Sequence, residues 1–147
     1  MMKIRYTIAL VAIAGLICST APAQDFPNVN KALADNAALV YWQAFSLLPE
    51  FNDAEQETLD DLLDGNQPGA KATKTVRRAN ESLRLMHRAA KHSQCEWGLE
   101  YNRGAEMGLP HLSQARKLSR LACARARIRF SEGKNEAAID DVLAAVF

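Results

Sequence analysis

Cys95 and Cys123 are the first residues whose type and setting could do chemistry. They stand 28 positions apart. In an oxidising compartment they could close a bridge worth about 3.5 kcal/mol in the chain-entropy picture, or they could rest as two buried free thiols. The residues leave both states open. Cys123 also shares a helical face with Arg116, Arg120 and Arg127, which recur at steps of four and seven. Guanidinium neighbours favour the thiolate and so a nucleophile. No base is placed by the sequence to complete one. The arginine row therefore reads first as a solvated face or the mate of the acidic first third of the chain, and it is the first candidate face if a protein or an anionic envelope component docks.

A second group, His87, His92, Cys95 and His111, invites a metal reading. Two helical ligands converge when they are three or four residues apart, whereas His87 and His92 are five apart and point about 140° away from each other. No metal site and no cofactor are expected. The carboxylate pairs Asp60-Asp61 and Asp140-Asp141 are adjacent, which sends each member to a different part of a helix surface, and solvation accounts for them. Calcium loops, phosphate-cradling glycines, nucleophile elbows and haem-attachment motifs are absent from the sequence. No catalytic residue is expected. Trp42, Phe45, Trp97 and Tyr101 are core aromatics or the lining of a groove.

The elements that must position these groups begin after an export signal. Residues 1–23 carry Lys3 and Arg5, an apolar run over 8–17, and Ala21-Pro22-Ala23 as a small-x-small cleavage site. Cys18 follows Ile17, where a lipoprotein signal wants a small residue. Cleavage leaves 24–147, one domain's worth of chain, in a periplasmic or extracellular setting where nucleic acid is not an expected partner. The whole chain has a formal charge of +1, but its distribution is lopsided. Nine acids lie between Asp25 and Asp64 against Lys31 alone, and fifteen Lys or Arg lie between Lys71 and Lys134 against five glutamates. Such a chain pairs its halves internally, solvates both, or offers a basic docking surface.

Apolar residues recur at three- and four-residue steps through most of the remainder, the period of helices. The first helix is expected over 31–48, ended by Pro49. A second starts at Asp53, capped with Gln56 answering it, and stops at Gly65 in the left-handed region. A third, 70–92, carries Val76, Ala79, Leu83, Met86 and Ala90 as its seam. Residues 93–109 read as a loop pinned by Trp97 and Tyr101. A fourth runs from Pro110 to Glu132 and ends at Gly133, and a fifth starts at Asn135 with Ala138, Ile139, Val142, Ala145 and Val146 facing inward. Sustained period-two alternation is lacking, so the expected fold is all-α, about five helices in a bundle or repeat-like arrangement.

Around Gly133 the last two helices resemble a tetratricopeptide-type pair. Ala126 falls at the small position seven before the turn glycine, and Ala138, Val142 and Ala145 fall five, nine and twelve after it. Arg129 stands where that repeat has an aromatic. The segments 36–45, 95–101 and 109–112, with the Arg- and Ala-rich helix that follows, are similar to a group of exported bacterial helical proteins of unassigned chemistry. That resemblance implies architecture and export and carries no active site. The expected function is a protein-binding or scaffolding module of the cell envelope. The alternatives are a thiol- or metal-dependent enzyme using Cys123, or His92 with Cys95, and the front part of a longer protein whose activity lies elsewhere.

Overall fold

The computed structural model describes residues 35–99, 102 and 108–146. The signal segment, Cys18 and Tyr101 lie outside the described residues. What is described is all-helical: α1 (Ala37–Ser46), α2 (Asp53–Leu63), α3 (Ala70–Arg77), α4 (Asn80–Ala89), α5 (Leu112–Ser131) and α6 (Asn135–Val146).

Side-chain caps fix the starts of α1 and α2. The Asn36 side chain accepts from the Ala38 N–H at 3.0 Å and opens α1. The same side chain accepts from the Glu96 N–H and donates to the Glu96 carbonyl, both at 2.9 Å, which ties the segment after α4 to the start of α1. The cap of α2 falls one residue earlier than the sequence suggests. Asn52, not Asp53, accepts from the Glu55 N–H at 2.9 Å, and the Glu55 carboxylate accepts from the Asn52 N–H at 3.1 Å. Asp53 and Glu55 then sit in the first turn, where the helix dipole favours acids. Gly65 and Gly133 carry positive φ, +116° and +73°, as expected of the residues that end α2 and α5.

The expected third helix is two. At Arg78 and Ala79 the backbone N–H groups bond the carbonyls three residues back, Thr75 and Val76, so the chain tightens into a 3₁₀-like turn. The Arg78 side chain holds that joint. Its guanidinium pairs with Glu55 at 2.5 Å, donates to the Glu50 carbonyl at 2.9 Å and lies over the Phe51 ring. The start of the fourth helix also shifts: Pro110 and His111 form a turn and α5 begins at Leu112.

The core lies where α1, α2, α3, α4 and α5 meet, with Leu62, Leu83, Met86 and Leu118 fully buried. The inner seam Ala72, Val76, Ala79, Leu83, Met86 keeps its three-four step through the joint. Trp97 is clasped by Tyr41, Trp42 and Phe45 and stacks on His111 with ring centres 4.1 Å apart. That clasp holds the described part of the 93–109 loop on α1, in agreement with its expected role.

Candidate functional site

The α5–α6 hairpin departs most from what periodicity implies. Its last helix buries Ala138, Asp141 and Ala144, and leaves Ile139, Val142, Leu143 and Val146 facing out at 50%, 40%, 49% and 76% exposure. Ile139, Val142 and Val146, expected inside, are therefore outside. Asp141, assigned to solvent by the reasoning from adjacent carboxylates, is 0% exposed. The helix is inverted: small residues and a carboxylate face the protein, and the aliphatic residues face away.

Charge explains the inversion. Arg125 and Arg129, four residues apart on α5, are largely withdrawn from solvent, and a buried guanidinium needs an acceptor. Asp141 supplies it. Arg125 Nε lies 3.0 Å from Oδ2 and its Nη2 2.5 Å from Oδ1, a two-pronged pairing. Arg129 Nη1 is 2.8 Å from Oδ2 and also donates to the Ala137 carbonyl at 2.8 Å. His87 of α4 brings Nε2 to 2.7 Å from Oδ1. Arg125 Nη2 is 3.0 Å from that same nitrogen, which serves as donor or acceptor but not both. With the carboxylate an acceptor, the Nε2–H tautomer satisfies the shorter contact. One carboxylate thus links three helices, and alanines beside it let α6 approach α5 closely. Ser119 Oγ adds a contact to the Ala145 carbonyl at 3.4 Å.

No protein-family model, curated protein or solved structure matches this chain.

The sequence-derived arginine face is divided. Arg116 is exposed on α5. Arg120 forms an ion pair with Asp60 of α2, one contact between the basic and acidic parts of the chain. Arg127 is half-buried, its Nε without a partner among the described residues and its Nη2 beside Gly65. Arg120 and Lys117 line a cleft of about 590 Å³ together with Phe45, Leu59, Leu121, Glu50, Gln56 and Gln114.

Cys95 and Cys123 are both free thiols, so the bridge considered from sequence is not formed. Asn36 and Gln94 anchor the Cys95 segment at the start of α1, whereas Cys123 belongs to the body of α5. Burial, and then the charge of Glu96, push the Cys95 thiol above its ordinary value, the direction away from an activated nucleophile. His92 Nδ1 is 3.1 Å from Asp35 Oδ1, and this contact, with Ser93, holds the Asp35 carboxyl below its ordinary value. His87, His92 and His111 thus have three separate environments. Among the described residues no group of three metal-ligating side chains converges.

Asp141, Arg125, Arg129 and His87 were not singled out together by sequence. A signal for them did exist. Asp141 falls three residues after Ala138 and three before Ala144, in the middle of a small-residue stripe. Arg125 and Arg129 share one face of the partner helix at the spacing of a two-point acceptor.

Proposed function

We propose that this chain is an exported, non-catalytic binding module whose last helix docks a helix of another protein. The observation that carries the reading is the outward row Ile139, Val142, Leu143 and Val146. These positions follow the i, i+3, i+4, i+7 pattern that normally meets a partner helix. Phe130, at the end of α5, adds another exposed apolar side chain of the hairpin. Contiguous exposed aliphatics of this kind mark interaction sites.

Charge selects the occupant. The exposed acids of α6 are Glu136 and Asp140, and the helix carries no Lys or Arg. The fitting partner is an amphipathic helix with an aliphatic stripe bordered by Lys or Arg. A second copy presenting the same helix would bring acids to acids. The raised Cys95 thiol and the use of His92 by Asp35 weigh against the His92–Cys95 metal alternative.

The test is titration by fluorescence anisotropy with a labelled model helix of leucines flanked by lysines. A scrambled peptide and one with glutamate flanks serve as controls. The patterned cationic helix binds the protein, and Val142→Asp with Leu143→Asp weakens it by tenfold or more while far-UV circular dichroism is unchanged. Equal binding of patterned and scrambled peptides, or no loss in the variant, overturns the reading. So does a concentration-dependent dimer in sedimentation that the same variant abolishes.

A further inference from the structure

A different face of the molecule carries an inference independent of the α6 seam. Lys74 and Arg77 on α3, Arg84 and Arg88 on α4, and Lys91 in the turn after α4 are all exposed. With Glu81 they recur at steps of 3, 4, 3, 4 and 3. The buried seam keeps its register through the Arg78–Ala79 joint, so the outer row does as well. At 1.5 Å per residue it runs about 25 Å.

Pairing leaves the row strongly cationic. Glu81, its one acid, is taken by Arg84 at 2.5 Å. Among the described residues Lys74, Arg77, Arg88 and Lys91 meet no carboxylate within ion-pair distance. Ala70, Lys71, Arg78 and Asn80 complete the exposed surface of these two helices, so it holds no large apolar or aromatic side chain. A protein interface wants such side chains at its centre and is depleted in lysine. A row of cations on the outer surface of two helices matches a fluid sheet of anions whose members can rearrange beneath it.

From this row we infer that the molecule docks peripherally on anionic phospholipid headgroups, with the α3–α4 stripe against the membrane. No helix of the described residues is long and apolar enough to cross one, and attachment at the surface does not require that. Each cation near an anionic leaflet contributes about 1 kcal/mol, or about fivefold in partition. Salt screens the attraction, because the Debye length shrinks from about 10 Å at 0.1 M to about 3 Å at 1 M.

Co-sedimentation of the purified full chain tests this. The vesicles are phosphatidylcholine alone, or phosphatidylcholine with about a third replaced by phosphatidylglycerol. The measured quantity is the ratio of the two partition coefficients, so apolar insertion by any other part of the chain contributes to both. The ratio is expected to be well above one in dilute salt and to collapse in molar salt. Replacing Lys74, Arg77, Arg88 and Lys91 together by Gln lowers it by about a hundredfold or more. Lys74→Arg with Lys91→Arg leaves it unchanged, and Glu81→Gln raises it several-fold. A ratio near one for the parent chain, or one that the fourfold variant retains, overturns the inference. Stripe-dependent binding to inorganic polyphosphate with none to the anionic vesicles also overturns it and assigns the row to a linear polyanion.

Discussion

Helices α4 and α6 have similar lengths and both carry apolar residues at three-four steps, yet they face opposite ways. In α4 the aliphatic residues Leu83, Leu85 and Met86 are buried and the cations Arg84 and Arg88 are outside. In α6 the aliphatics are outside and a carboxylate is at the centre of the buried face. The difference lies in what the neighbouring helices offer. The inner face of α4 meets Leu118, Leu121 and the α1 side chains in the common core, whereas α6 meets two guanidiniums that need an acceptor. Periodicity defines two faces of a helix, and the chemistry of its neighbours decides which one is buried. One half of the molecule is therefore packed through aliphatic side chains, whereas the inner face of α6 combines buried alanines with a carboxylate that pairs two guanidiniums.

The largest expected effect breaks the hairpin side of that comparison. Asp141→Ala leaves two guanidiniums without their acceptor and costs about 3–5 kcal/mol in denaturant unfolding. Replacing Asp141, Arg125 and Arg129 together by Leu, Met and Met recovers most of the loss, since the penalty comes from unpaired charge. A triple variant as unstable as the single one would show that unpaired charge is not the source of the loss.

Next in size, Leu83→Ala empties a fully buried site in the apolar half and costs about 2–5 kcal/mol. Hydrogen exchange should then speed up across α1, α4 and α5 together. Loss confined to α4 would contradict a shared core. A smaller effect concerns acid. Its hydrogen bond with Arg78, and then the Asn52 N–H, hold the Glu55 carboxyl below its ordinary value of 4.5. A group lowered on folding adds stability above its unfolded value and loses it as pH falls through the folded one. Stability should therefore decline below about pH 4.5, and Glu55→Gln should flatten part of that decline; identical pH curves would remove this role. Smallest of all, Ile139→Ser with Val142→Ser should move stability by less than about 0.5 kcal/mol per site, because both side chains already face solvent.

Much of the fold is readable in the chain. The seam through Val76, Ala79, Leu83 and Met86, the stops at Gly65 and Gly133, and the clasp on Trp97 follow from spacing and residue type alone. The α2 cap slipped by one residue because Asn52 and Asp53 are both good caps and only the reply of Glu55 chooses between them. The break at Arg78 was hidden because a 3₁₀-like turn leaves the apolar period intact. For the candidate site, the sequence supplied Arg116, Arg120 and Arg127 as a face, but Arg120 is drawn to Asp60 across a long stretch of chain, a contact no local pattern encodes. The inverted α6 was hidden for a related reason: an aspartate within a small-residue stripe reads as surface until the two arginines that claim it are placed on the facing helix.

The central claim is that a buried carboxylate, drawn inward by two guanidiniums, decides that α6 turns its aliphatic face outward. Site-resolved hydrogen exchange on Asp141→Asn against the parent chain tests this most directly. The account predicts that protection falls in α6 and in the half of α5 bearing Arg125 and Arg129, while α1 and α2 keep theirs. Unchanged protection in α6, or an equal loss in every helix, would contradict it.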